Sequence, residues 1–147
     1  MKTIVVLFHP TPDKSARNKL IETQIKALPY VTYHTVSSTT IDAAAEQALL
    51  KQYDRIVFQY PIYWYNLPGC GKLYLDAVLD KEMFKGKHIK VVNTTGAPKF
   101  VYKKPEVLFN IWQNIAGYCG MTYEEPFILY AMEKESKINE LKAQLAK

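Results

Sequence analysis

Tyr63, Trp64 and Tyr65 stand together between Pro61 and Pro68, just past the apolar run Arg55–Tyr60 (RIVFQY). Three aromatic rings at the end of a strand are costly in water, so a core, a second chain or a flat ligand should cover them. A second stretch, His9-Pro10-Thr11-Pro12-Asp13-Lys14-Ser15-Ala16-Arg17-Asn18, mixes turn residues with donors and ends at the start of a helical pattern. A helix start offers unpaired N–H groups and partial positive charge, a natural seat for phosphate. It is equally an ordinary capped helix after a Pro-rich turn. A third stretch, Asn93-Thr94-Thr95-Gly96-Ala97-Pro98, sets a glycine among hydroxyls after a strand. Such a loop either lets the backbone approach a ligand or simply turns.

Other patterns carry less. Gly69-Cys70-Gly71-Lys72 lacks the first glycine of a phosphate loop and is followed by Leu73, and Tyr74 breaks a dinucleotide fingerprint. His9, His34 and His88 have no metal-ligand spacing, so no metal is expected. Cys70 at a helix start reads better as a small packing residue than as a reactive thiol. No nucleophile–base pair of hydrolase type is present.

The elements that would position these loops alternate along the chain. Thr3–Phe8 (TIVVLF), Arg55–Tyr60 and Ile89–Asn93 (IKVVN) read as strands buried on both faces. Val31–Val36 and Phe127–Tyr130 complete a set of five. Helical patterns separate and follow them. The first begins after Ser15, an expected N-cap, carries Ile21, Ile25 and Leu28, and ends at Pro29. The others cover 42–52 with Asp42 as cap, 67–79 with Pro68 in the first turn, 107–119 and 134–146. Strict β-α alternation predicts an α/β three-layer sandwich, a parallel sheet covered on both faces. Five strands fit the flavodoxin-like order 2-1-3-4-5. In such a sheet ligands bind outside the carboxyl ends of the strands, where the loops after strands one, three and four meet.

At 147 residues the chain suits one domain, 1–147, able to bury a core without staples. Its net charge of +5 suits anionic partners. The basic residues are scattered among acids, as in Asp80, Lys81, Glu82, Lys85, Lys87 and Lys90, and read as solvated surface, so no nucleic-acid partner is expected. The apolar run near the N-terminus, Ile4–Phe8, is too short for a signal peptide or a span, so no membrane insertion is expected. Two distant cysteines suit a reduced, cytoplasmic setting.

Taken together, HPTPDKSARNK (9–19), DAAAEQALLKQYDRIVFQYPIYWYNLPGCGKLYLDAVL (42–79), GKHIKVVNTTGAP (86–98) and YCGMTYEEPF (118–127) resemble the NAD(P)H:quinone oxidoreductase family of flavoproteins. The likeness is greatest to short bacterial members, which include ancillary subunits of potassium-efflux systems. It implies a flavin, FMN rather than FAD, since the short chain has little material for an adenosine site. It implies NAD(P)H as co-substrate and a hydride passed through the flavin to a quinone or similar small-molecule acceptor. By residue match, His9, Ser15, Ala16, Arg17 and Asn18 would surround the flavin phosphate and ribityl chain. Pro61, Ile62, Tyr63, Trp64 and Tyr65 would line the ring, and Thr94, Thr95, Gly96 and Ala97 would bond its pyrimidine end. Tyr102 is the candidate catalytic residue. A homodimer with the flavin near its interface is also implied, and Trp64 and Trp112 are read as one aromatic cluster suited to it.

The chain departs from the family pattern in two places. Residues 80–86 replace an aromatic- and Gly-rich insertion, and 98–106 replace a longer loop over the active site. Those segments help form the nicotinamide and quinone pocket in relatives. The alternative expectation is therefore a flavin-binding regulatory module with little turnover, docked on a partner such as a potassium-efflux transporter. A third reading, a small electron carrier, fits poorly with the positive charge.

Overall fold

The computed structural model describes residues 1–147, and the alternation expected from the sequence is present. Strands β1 (Thr3–Phe8), β2 (Val31–Val36), β3 (Arg55–Pro61) and β4 (His88–Thr94) pair in parallel in the order β2-β1-β3-β4. The apolar, β-branched composition of β1, β3 and β4 suits strands covered on both faces. Every residue of β1 and β3 is buried. Side chains alternate across the sheet and build two cores. Ile4, Val6, Phe8, Ile56, Phe58 and Val91 face one, while Val5, Val57 and Val92 face the other.

Helices α2 (Ala43–Leu50), α3 (Gly69–Val78) and α5 (Asn110–Cys119) cover the first face, with Leu50, Tyr74 and Trp112 driven into it. Phe8, Phe58 and Trp112 stack in series there, with ring centroids 5.5 and 4.7 Å apart. Trp112 is fully buried and donates to the Tyr60 hydroxyl at 2.6 Å. It therefore lies in the core and forms no surface cluster with Trp64, which is 96% exposed. Helices α1 (Ala16–Ile25) and α6 (Ile138–Leu145) cover the second face through Ile21, Ile25, Ile138, Leu141 and Leu145. A four-residue helix, α4 (Lys81–Phe84), capped by Asp80, occupies the segment read as a plain connection. Asp42 caps α2 as expected, accepting the Ala45 N–H at 3.1 Å.

The fifth strand is split. β5 (Thr122–Tyr123) pairs with His88 and Ile89, and β6 (Phe127–Leu129) pairs with Val92 to Thr94. The register slips by one residue between the two pairings, which marks a bulge across Glu124-Glu125-Pro126. Pro126 has no N–H to give a ladder there. The sheet thus has six strands where five were expected, with the outer edge in two pieces.

Lys90 corrects a second expectation. The sequence places it with the solvated surface, yet it is 1% exposed. Its ammonium donates to the Glu125 carbonyl, which the bulge turns inward. Arg55, equally buried, pairs with Glu124 at 2.8 Å and donates to the Leu145 carbonyl at 2.7 Å. Both cations lie in an opening of about 290 Å³ also lined by His88 and Gln144. This charged group sits at the amino-terminal pole of the sheet, opposite the three loops named above.

Candidate functional site

The three loops converge at the carboxyl pole of β1, β3 and β4. Two contacts tie them together. Asn18 of α1 donates from Nδ2 to Ser15 Oγ and to Thr94 Oγ1, each at 2.9 Å, which joins the loop after β1 to that after β4. The Ile62 N–H donates to the Thr94 carbonyl at 2.9 Å, which joins the loop after β3 to the same point. Register explains the meeting, because Pro61 lies opposite Thr94 at the last rung of the β3–β4 ladder.

Ser15 occupies the N-cap of α1 as expected, but its hydroxyl caps no backbone group. It accepts from the Asn18 amide instead. The Ser15 carbonyl takes the Lys19 N–H, and the N–H groups of Ala16, Arg17 and Asn18 meet no acceptor in the protein. Three orphan donors at the start of a ten-residue helix form an anion seat. The Arg17 guanidinium donates to the carbonyls of Tyr130 and Glu133. His9 is buried, and its Nδ1 accepts the Thr11 N–H at 3.0 Å. That contact leaves Nε2 as the protonated nitrogen, a donor. Burial lowers the His9 pKa, so the ring adds a neutral donor rather than a charge.

Beyond β3 the chain makes a tight reversal. Tyr63 and Asn66 exchange both backbone hydrogen bonds, at 2.8 and 3.0 Å. Trp64 and Tyr65 fill its centre at φ 49° and 63°. Two left-handed residues in succession define a type I′ turn, a geometry that favours Asn and Gly and strains a bulky side chain. The rings are not covered by the protein. Trp64 is 96% exposed, Tyr65 64% and Tyr63 41%. Among the covers the sequence allowed, the core of this chain is therefore excluded. Tyr63 also stands edge-on to His9, 6.2 Å between centroids.

In the loop after β4, the Thr95 hydroxyl is spent internally. It donates to the Ala97 carbonyl at 2.6 Å and accepts the Ala131 N–H at 3.2 Å. The N–H groups of Gly96 and Ala97 have no partner, and a side chain added at Gly96 would meet nothing within 4 Å. The backbone here is open to an approaching ring. Tyr102, half-buried, stands between Tyr65 and Tyr130 with centroids 5.9 and 5.6 Å away. A cleft of about 530 Å³ runs past Tyr65, Tyr102, Lys103, Lys104 and Leu108, within the range of small-molecule sites. Tyr130 and Glu133 did not stand out in the sequence. Both are placed by a turn in which Met132 is left-handed at φ 72° and the Tyr130 N–H donates to Glu133 Oε2 at 2.8 Å. Burial, then Glu133 and Tyr102, raise the Tyr130 pKa, so its phenol stays protonated.

The parts suit a phosphorylated aromatic molecule such as a flavin mononucleotide. Orphan N–H donors and hydroxyls at the start of α1 could meet its phosphate end, and unburied rings and an open glycine backbone could meet its flat end. No helix of the structure is long and apolar enough to cross a membrane.

Comparisons with known proteins agree with this fold. The ancillary protein KefG of the glutathione-regulated potassium-efflux system from Cronobacter sakazakii is 29% identical over 92% of this chain and 84% of its own length. The structure of general stress protein 14 from Treponema denticola, solved in complex with FMN, superposes with a TM-score of 0.85 at 27% identity, covering 99% of this chain and 97% of that one. An NADPH-quinone reductase from P. pentosaceus has the same fold, with a TM-score of 0.87 at 23% identity over 98% and 95% of the two chains. A family model described as flavodoxin-like fold matches residues 1–147, and the chain belongs to that family.

Proposed function

We propose that the chain binds FMN at the carboxyl pole of β1, β3 and β4 and acts as an NAD(P)H:quinone-type oxidoreductase. The observation that carries this reading is the convergence of the three loops on Asn18 and Thr94, with phosphate donors on one side and uncovered rings on the other. When bound, FMN supplies the two-electron hydride chemistry between NAD(P)H and a quinone or similar acceptor. The rest is the work of this chain. Ala16, Arg17 and Asn18 hold the phosphate by backbone N–H, with Ser15 and His9 beside them. Pro61 and Ile62 set the edge of the ring site, and Tyr63, Trp64 and Tyr65 flank the ring. Gly96 and Ala97 would present N–H donors to its pyrimidine edge and favour negative charge there. Thr95 holds that loop in shape. Tyr102, on the wall of the 530 Å³ cleft, positions the incoming partner. FMN rather than FAD is favoured by the relative solved with FMN.

The KefG relatives support a second reading, a flavin-loaded ancillary module that docks on a potassium-efflux protein and turns over slowly. Phe100 and Trp64, 85% and 96% exposed near the site, suit such a partner or a homodimer with the flavin at its junction. Two unpaired, buried cysteines fit a cytoplasmic setting.

The test is an absorbance spectrum of the protein loaded with FMN, desalted and mixed anaerobically with NADPH or NADH. A retained yellow spectrum that bleaches in seconds and returns on adding a quinone is the expected result. Retention without bleaching transfers the assignment to the ancillary module. Failure to retain flavin overturns both.

A further inference from the structure

The charged group at the amino-terminal pole holds more donors than the protein uses. Arg55 opens β3, and Lys90 lies near the start of β4 opposite Val57. Side chains alternate along a strand, so both cations share the sheet face that α1 and α6 cover, with Val57 and Val92 beyond them. Helix α6 ends at Leu145, whose carbonyl accepts from Arg55. The opening of about 290 Å³ forms there, at the foot of the sheet.

Two cations, each 1% exposed, are costly in one space unless their charge is met. The protein meets it in part. Arg55 gives Nε to Glu124 and Nη1 to the Leu145 carbonyl and Thr3 Oγ1, while its Nη2 has no acceptor. The Lys90 ammonium has three protons, and the Glu125 carbonyl is its one acceptor. Glu124 Oε1 is shared between Arg55 and His88. Burial pulls the Lys90 pKa down to about 8, Glu124 and Glu125 oppose that, and Arg55 and Lys147 reinforce it. The Gln144 amide lines the same opening with a buried oxygen that meets no donor, and an amide can turn over to offer NH2 instead.

We propose that this opening is a second ligand site, for an oxyanion: the carboxylate or phosphate group of a small molecule, held between Lys90 Nζ and Arg55 Nη2 with Gln144 on its wall. An oxyanion supplies several acceptor lone pairs at one point, which the neighbouring carbonyls and Glu124 do not. The volume, at the lower end of small-molecule sites, suits a small metabolite and not a dinucleotide. The site also gives a reason for an amine in the apolar run IKVVN, where an apolar side chain would fill the strand at less cost. It lies at the pole opposite the three loops, so it does not depend on the FMN reading.

The experiment titrates inorganic phosphate and, separately, acetate into the protein at pH 7. It follows the NMR signals of Lys90 Cε and the Thr122 methyl at this pole, and of the Ala16 methyl at the start of α1. Saturable shifts at Lys90 and Thr122 with a dissociation constant on the order of 1 mM are expected. Lys90→Met removes the ammonium, and Gln144→Glu sets a negative charge on the wall. Each is expected to weaken the Thr122 response about tenfold, the scale of one hydrogen bond to a charged group, and to leave any Ala16 response unchanged. Tighter phosphate than acetate assigns a phosphorylated ligand, and the reverse a carboxylate. No saturable shift at this pole with either anion, or a Thr122 response within about twofold of native in Lys90→Met, overturns the proposal. If Lys90→Met fails to fold, an unchanged response in Gln144→Glu does the same. The flavin reading stands under every one of these results.

Discussion

Trp64 and Tyr65 hold a backbone conformation that residues with side chains adopt at a cost of roughly 1–2 kcal/mol each, while their rings face water. The Tyr63–Asn66 hydrogen bonds and the Tyr65–Tyr102 contact offset part of that strain, and the proposed flavin site would give the exposed rings a use. Tyr65→Gly should raise stability by about 1 kcal/mol in urea unfolding, because glycine takes φ 63° freely. The same change should weaken FMN several-fold by loss of a stacking face. Undiminished FMN affinity would remove Tyr65 from the ring site. At this scale the sequence showed which residue types cluster but not how they point. The segment PIYWYN lacks the glycine that marks a type I′ turn, so its left-handed centre is invisible in the letters. The partners of the Arg17 guanidinium, the carbonyls of Tyr130 and Glu133, lie more than a hundred residues away and leave no trace in the local sequence. Thr95 is engaged by Ala97 and Ala131 for the same non-local reason.

Among the elements, the contact that sets the distance between α3 and the sheet is at Gly71. A Cβ there would lie 2.8 Å from Leu67 Cδ1 and 2.9 Å from Phe8 Cδ2. Gly71→Ala should therefore destabilise by about 1–3 kcal/mol, measured by urea unfolding, through overpacking. Phe8 precedes His9, so the displacement should also reach the proposed flavin site and lower FMN affinity. A stability change within about 0.5 kcal/mol would mean that Phe8 and Leu67 give way freely. The central strands were legible because continuous apolar, β-branched runs have few other fates, and β1 and β2 match their expected limits residue for residue. The outer edge was not legible. A two-residue strand at Thr122–Tyr123 carries no periodicity and exists only through its partners His88 and Ile89. The helices expected over 107–119 and 134–146 each open instead with a 3-10 turn, at Pro105–Phe109 and Glu135–Lys137.

For the molecule as a whole, the amino-terminal pole makes stability depend on pH. Burial lowers the Lys90 pKa from 10.5 to about 8, against the opposing pull of Glu124 and Glu125. A lysine whose folded pKa lies below its unfolded one binds fewer protons folded than unfolded between those values, so its penalty is full below about pH 8 and fades as pH rises toward 10.5. Lys90→Met should therefore exceed the native protein in stability at pH 7, and the gap should shrink between pH 8 and 10. Thermal melts of the two proteins across that range check it, and a gap independent of pH would assign the effect to packing. Buried Cys70, Cys119 and Tyr74 have raised pKa values and act in the opposite direction, but equally in both proteins. The bulge that turns the Glu125 carbonyl onto Lys90 has a further consequence, for association. An unbroken outer strand would offer a straight row of free N–H and C=O groups to any extended chain in the cell. Here that row is interrupted by two acidic residues and a proline, Glu124-Glu125-Pro126, so strand addition along this side is blocked. Fibre-like growth from this side of the sheet is suppressed, and the opposite margin, β2, is left as the only uninterrupted template.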